Sequence, residues 1–308
     1  MTLHKSQTLI LIAFIFIYVI WGSTYLFNKI IVSEVAPFFI GAIRFISAGI
    51  LIMIIAKLLK LKLHITKKQF LNCFIAGFLF LVYGNGVFVW ALKFVDSGFA
   101  ALLASTQPLF VLLLMRLVDR KPMQKKSIFG VSLGLLGMYL LVSQQDITSS
   151  EGSVLGIFMI FTCVLSWSYG SVFVSKADLP QNFFVSTGYQ MLIAGTMLLL
   201  GSLIFNEIWI SPLSWSSEAQ GSMLFLILFG GIIAFTSFNY LLKMVSTEKV
   251  ATSAYVNPII AMLLGWYVLD ESLTLQSVIA SIILLSGVYF ITTRKRIAKV
   301  TADESIKP

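Results

Sequence analysis

Arg44 stands seven residues past Pro37 in the run 37-PFFIGAIRFISAGILIMIIAKL-58, which carries no other charge until Lys57. At 1.5 Å per helical residue it sits roughly 10 Å into that run. A guanidinium is a planar fork of five donors that matches a carboxylate or phosphate. Held deep in hydrocarbon, it costs about 2.5–3.5 kcal/mol on insertion scales. Two accounts fit. Either Arg44 faces a polar cavity and binds an anionic group, or it snorkels outward or ties its helix to a neighbour's carbonyls. The residue 146 positions on, Gln190, is also polar.

The next candidates come in pairs. The stretch 90-WALKFVDSGFAALLASTQP-108 returns 150 residues later as 240-YLLKMVSTEKVATSAYVNP-258. Lys93 falls on Lys243, Gln107 on Asn257 and Pro108 on Pro258. A proline inside a helix removes a backbone hydrogen bond and kinks it. Freed carbonyls near Ala104 and Ala254 then need partners or water. Gln107 and Asn257, beside the kinks, are expected to line a central site, with hydrogen bonding between helices as the other use of such amides. Lys93 and Lys243 close their helices at opposite ends of the repeat. There they either cap C-terminal carbonyls, which cations favour, or act as gates.

Aromatic and amide side chains complete the set. Trp21 and Trp167 match in the repeat, with Tyr25, Asn28 and Tyr169 close by in sequence. Tyr83, Asn85, Trp90, Asn239, Tyr240 and Tyr255 are further cavity candidates. Trp90 and Tyr240 equally fit the aromatic belt at a membrane surface.

What is absent narrows the chemistry. The apolar interiors hold no Asp or Glu, although such a carboxylate is the usual proton relay of coupled transporters. A cationic cargo would find no counter-charge, so an anionic, zwitterionic or neutral one suits Arg44 better. His4 and His64 have no metal-ligand spacing, and no phosphate-cradling glycine loop with Lys-Ser/Thr occurs. No nucleophile–base pair is visible. The expectation is no enzyme, no metal and no cofactor.

These residues need elements to hold them, and composition names the medium. The chain has 308 residues, 58% hydrophobic and 11% charged, with mean hydropathy +0.94. A soluble domain carries about 25% charged residues. The class is all-α membrane protein. Ten segments reach the length of a bilayer crossing, at 8–28, 37–58, 70–93, 97–117, 127–144, 154–175, 184–205, 221–243, 250–269 and 274–293. The basic start and long apolar run of MTLHKSQTLILIAFIFIYVIWG point to a retained first helix rather than a cleaved leader. A cytoplasmic N-terminus puts 19 of the 22 Lys and Arg residues inside, as the positive-inside rule requires. Both termini are therefore expected in the cytoplasm. The net charge of +9 lies beside membrane helices and gives no reason to invoke nucleic acid. Cys73 and Cys163 sit in apolar runs as packing residues.

The repeat pairs Trp21 with Trp167, Phe27 with Phe173 and 48-AG-49 with 194-AG-195 at an offset of 146, then Gly137 with Gly287 at 150. Five helices match five. Five is odd, so the second copy enters the membrane from the opposite side. Two inverted five-helix repeats can alternate between outward-open and inward-open cavities around a midplane site. That favours a carrier. A passive pore and a non-transporting membrane partner are the alternatives.

The motifs 20-IWGSTYLFNK-29, Arg44 with Ala48-Gly49, 100-AALLASTQPLFVLLL-114 and 250-VATSAYVNPIIAMLLGWYVLDESL-273, with Gly130, Gly134, Gly137 and Gly287, resemble the EamA-type members of the drug/metabolite transporter superfamily. The likeness covers residues 8–293. It implies repeats at 8–144 and 154–293 with a cytoplasmic tail at 294–308, in a cytoplasmic-membrane carrier of small metabolites. Export of amino acids or similar polar compounds is favoured. The chain would act as monomer or homodimer, with a small-molecule substrate and the bilayer as partners. It departs from the pattern where 119-DRK-121 stands opposite Asp270-Glu271, so an acidic loop position is kept in one half only.

Overall fold

A computed structural model describes residues 2–95, 97–119, 125–143, 152–269 and 274–292. The tail 294–308 and the loop positions Asp96, Arg120-Lys121 and Asp270-Glu271 lie outside the described residues. The described chain is helical, without strands. Its elements are α1 (Thr2–Val32), α2 (Pro37–Leu58), α3 (Lys67–Ala91), α4 (Ser97–Ala104 and Gln107–Asp119), α5 (Lys125–Val142), α6 (Ser153–Lys176), α7 (Phe183–Ile204), α8 (Ser217–Met244), α9 (Thr247–Ala251 and Ser253–Leu269) and α10 (Leu275–Thr292). Among the described residues seven helices are long and apolar enough to cross a membrane: α1, α2, α3, α6, α7, α8 and α9. The apolar cores of α4 and α10 are shorter, at Gln107–Val118 and Val278–Gly287. Leucines, isoleucines and phenylalanines stand exposed on the outer faces of most helices, as expected where lipid replaces water.

Helix ends follow local chemistry. Thr66 and Gln69 form a reciprocal capping box at the start of α3, and the Asn182 side chain accepts from the Phe184 and Val185 amides at the start of α7. Lys60 and Asn206, 146 residues apart, are the two non-glycine residues with positive φ among the described residues, at 55° and 51°. Each ends its helix with the same pair of bonds. Leu61 N donates to Ala56 O and Glu207 N to Ser202 O, both at 2.9 Å. This is the Schellman closure of a C-terminus.

Equivalent helices pack against each other, antiparallel. On α2 and α7, a Cβ added to Gly49 would lie 2.8 Å from Leu192 Cγ, and one on Gly195 would lie 2.7 Å from Ile46. The offset of 146 carries one contact into the other. On α5 and α10, Gly137 abuts Ala280 and Leu284, while Gly287 abuts Gly130 and Gly134. The offset of 150 exchanges those contacts too. A patch that meets its own copy with roles exchanged is the signature of a two-fold axis. Small residues permit the approach, as they do between helices in lipid.

Two features depart from the sequence expectation. In both α3 and α8 ten central residues, Phe78–Val87 and Leu226–Phe235, are wound as π-helix. Pro108 does not kink a continuous helix. The backbone turns at Ser105 and Thr106, and Pro108 falls in the first turn of the restarted segment, where its missing N–H has no partner to lose. Pro258 is inside the second segment of α9, whose break comes earlier, at Thr252.

Candidate functional site

The two π-helical segments face one another across a cavity between the halves. A π turn shifts the i→i−4 register and leaves carbonyls free for other partners. Arg44 bonds to both segments. Its Nε donates to Leu226 O at 3.2 Å, where the α8 segment begins, and its Nη1 donates to Asn85 Oδ1 at 3.3 Å in the α3 segment. The side chain is 4% exposed and its guanidinium carbon lies 4.9 Å from the centre of the Phe45 ring. Both sequence accounts of Arg44 therefore contain part of the geometry. It ties α2 to α3 and α8, and it lines the cavity.

Glycines make room around it. A Cβ on Gly230 would stand 3.0 Å from Arg44 Nη2 and 3.0 Å from Thr24 Cγ2, and one on Gly84 would stand 2.9 Å from the Trp167 ring. The α1 helix presents Trp21, Thr24, Tyr25 and Asn28 to the same space. Trp21 Nε1 donates to Gly230 O at 3.3 Å, and Thr24 donates to Trp21 O at 2.7 Å.

An aromatic layer bounds the cavity on one side. Trp21 and Trp167 meet edge to face with ring centres 5.6 Å apart, and Phe238 lies 4.9 Å from Trp21 and 5.7 Å from Trp167. Phe80 packs 5.0 Å from Trp167. Phe238 falls on α8 between Gly230 and Lys243, so the layer sits on the Lys243 side of the cavity. On that side α1 and α9 are bonded together. Tyr18 Oη and Thr252 Oγ1 are 2.8 Å apart. With its amide turned nitrogen-inward, Asn257 has the carbonyls of Ile17, Tyr18 and Ser253 within 3.0–3.2 Å as acceptors for its two N–H groups. At the equivalent crossing of α6 with α4, Ser168 Oγ lies 3.5 Å from Gln107 O and Val164 takes the place of Tyr18.

Of the residues singled out in sequence, the cavity gathers Arg44, Asn85, Gln107, Asn257, Trp21, Trp167, Tyr25 and Asn28. It does not gather the other seven, of which Tyr169 is exposed on α6. Gln190 and Asn239 bond each other at 3.5 Å between α7 and α8, with Ser186 and Thr187 as further partners. Tyr83 donates to Thr162 at 3.2 Å, and Trp90 packs between Phe38 and Phe205. Tyr240 meets Phe183, and Tyr255 is buried where α9 crosses Gly134 of α5. Lys243 caps α6 through Ala177 O at 2.7 Å. In the first half the direction is reversed, since Lys29 of α1 caps α3 by donating to Leu92 O and Val95 O at 2.9 and 3.1 Å. Lys93 is exposed instead, beside Glu34 and Glu207 at a separate cleft.

Sequence reasoning passed over Thr24, Gly84, Gly230, Cys163 and Ser253, all of which line the cavity. For Thr24 a signal existed. Trp21, Thr24 and Asn28 recur at helical spacing, one face of α1. For the glycines it lay in 84-GNG-86 and 229-FGG-231, small residues amid bulky ones.

The description "EamA-like transporter family" matches residues 8–143 and again 154–293. The chain belongs to that family. The EamA-like transporter is a multi-pass membrane protein, and several of its relatives are named transporters. An uncharacterized inner membrane transporter of Escherichia coli (strain K12), YedA, is 34% identical over 299 residues, 94% of each chain. An uncharacterized transporter of Bacillus subtilis (strain 168), YoaV, is 22% identical over 283 residues, covering 92% of this chain and 96% of the relative. A solved structure called only "Crystal structure of protein" shares the fold of this EamA-like chain. It has a TM-score of 0.74 at 18% identity over 91% of this chain and 95% of that one.

Proposed function

We propose that this transporter is a secondary carrier of small polar metabolites, working by alternating access and favouring export of amino acids or similar compounds across the cytoplasmic membrane. Ten transmembrane helices form two inverted repeats, 8–144 and 154–293, with both termini in the cytoplasm and the 294–308 tail on that side. The chain acts as a monomer or homodimer, and it moves its cargo without chemical change.

The observation that carries this reading is the exchange of contacts between antiparallel equivalents, Gly49–Leu192 with Gly195–Ile46 and Gly137–Ala280 with Gly287–Gly130. Two halves so related can swap conformations around the cavity that lies between them. The asymmetry of the crossings supports an outward-facing state. Tyr18–Thr252 bonds the α1–α9 crossing below the aromatic layer, while the apolar Val164 stands in Tyr18's place on α6. Reversal requires breaking Tyr18–Thr252 and forming the equivalent closure at Val164.

The test is an export screen comparing metabolites released by cells with and without the protein, followed by counterflow of any hit in proteoliposomes. Saturable uptake accelerated by unlabelled solute on the far side is the expected result. Flux that rises linearly with concentration, without acceleration, makes the protein a pore.

A further inference from the structure

The segment joining α2 to α3 carries five lysines in twelve residues, Lys57, Lys60, Lys62, Lys67 and Lys68. No Asp or Glu stands between Glu34 and Asp96. All five lysines are exposed, and none donates to a partner among the described residues. From Leu61 to Ile65 the chain is not helical and burial alternates, with Leu61, Leu63 and Ile65 half-buried and Lys62 and His64 exposed. Tyr189 holds this run by donating to Leu63 O at 3.2 Å. The amide N–H groups of Lys62, Leu63, His64 and Ile65 donate to nothing among the described residues. Large apolar side chains flank the lysines, with Leu58 75% and Leu71 57% exposed. Asp178 meets the segment through Gln69 Nε2 at 3.4 Å, but its charge acts on Lys243 as well.

The second half shows that the fold does not require these cations. Its equivalent loop ends α7 with the same closure, Asn206 taking the positive φ of Lys60. At an offset of 146 it has Leu203, Asn206 and Ile208 where the first half has Lys57, Lys60 and Lys62. A basic run flanked by exposed leucines at the end of membrane helices suits an anionic bilayer surface, where apolar groups enter the acyl boundary and ammonium groups meet phosphate.

We propose that the α2–α3 loop is a binding site for the headgroups of anionic phospholipids. The lysines supply the charge, the free amides of the run between Leu61 and Thr66 supply further donors to phosphate oxygens, and the leucines select a lipid over a soluble anion. The proposal concerns a surface apart from the central cavity and does not depend on the carrier reading.

The experiment titrates the purified full chain in detergent with phosphatidylglycerol and with phosphatidylcholine, and reads bound lipid by native mass spectrometry. Both lipids carry a phosphodiester, and only the first carries a net charge. A lysine at an anionic surface is worth about fivefold in binding, so phosphatidylglycerol should half-saturate at least about tenfold lower. The preference should shrink in about 1 M salt, where screening is nearly complete. A triple variant, Lys57→Gln with Lys60→Asn and Lys62→Gln, should bring the two lipids close to parity. A control of equal charge, Lys125→Gln with Lys126→Gln and Lys249→Gln, should keep the preference. Inorganic phosphate in large excess should not displace phosphatidylglycerol.

Equal binding of the two lipids by the native chain overturns the proposal. So does a preference that survives in the loop variant, or one lost equally in the control, which would make it a matter of overall charge. Displacement by inorganic phosphate would mean that the loop takes a soluble anion instead of a lipid. Should the triple variant fail to fold, Lys60→Asn and Lys62→Gln singly should each cost about fivefold, and no change in either overturns the proposal.

Discussion

Gly137 of α5 touches the Ala280 backbone of α10 so closely that a Cβ there would lie 2.9 Å from the Ala280 oxygen, and Gly287 stands in the same relation to Gly130, at 2.7 Å. Each glycine is the image of the other at an offset of 150. Backbone opposes backbone at this crossing, so neither side can yield by turning a side chain.

The first prediction follows from that contact. Gly137→Val and Gly287→Val each force α5 and α10 apart, at a cost of about 1–3 kcal/mol for overpacking. The double variant should lose less than the sum, because the first substitution already opens the seam that the second needs. Melting temperatures of the purified single and double variants check this. Strict additivity would mean that the two sites do not share a seam.

Arg44 is the second case. Arg44→Ala removes the Leu226 and Asn85 bonds together with the cavity's cation. Transport by the membrane fraction should fall at least about tenfold, while the amount of folded, monodisperse protein falls by much less. Size-exclusion profiles set beside proteoliposome flux give both numbers. Equal losses would make Arg44 a structural tie and nothing more.

The third concerns the closed crossing. Tyr18→Phe deletes the bond to Thr252 and keeps the ring. The balance should move toward the inward-facing state. A Ser253→Cys substitution, beside Thr252 at the closed crossing, then reports it in a background lacking Cys73 and Cys163. An impermeant thiol reagent applied from the cytoplasmic side should label it several-fold faster in the variant. An unchanged rate would show that the bond does not hold the crossing shut.

Much of this was legible in the sequence, for physical reasons that can be named. Arg44 in an apolar run and the duplicated Gln107-Pro108 and Asn257-Pro258 stand out because polarity is expensive in hydrocarbon, and all three polar residues do line the cavity. The pairing of Trp21 with Trp167 also came through, since a duplication preserves spacing. Gln190, Asn239 and Tyr255 were misplaced for a different reason. Residue type says that a buried polar group needs a partner, and only the packed structure says whether that partner is cargo or another helix. The π-helical segments of α3 and α8 carry no signal in hydrophobic periodicity, which marks a helix without fixing which carbonyl each N–H meets. Lys29 in place of Lys93 as the cap of α3 depends on the path of α1, which no spacing encodes.

The claim beneath the whole account is that the two halves face opposite ways, and equivalent exposed positions test it most directly. Lys62 and Ile208 are separated by the offset of 146 and are both exposed. In a background lacking Cys73 and Cys163, Lys62→Cys and Ile208→Cys should react with an impermeant thiol reagent from opposite sides, the first from the cytoplasm and the second from outside. Reaction of both from the same side would contradict the inversion and, with it, alternating access between the halves.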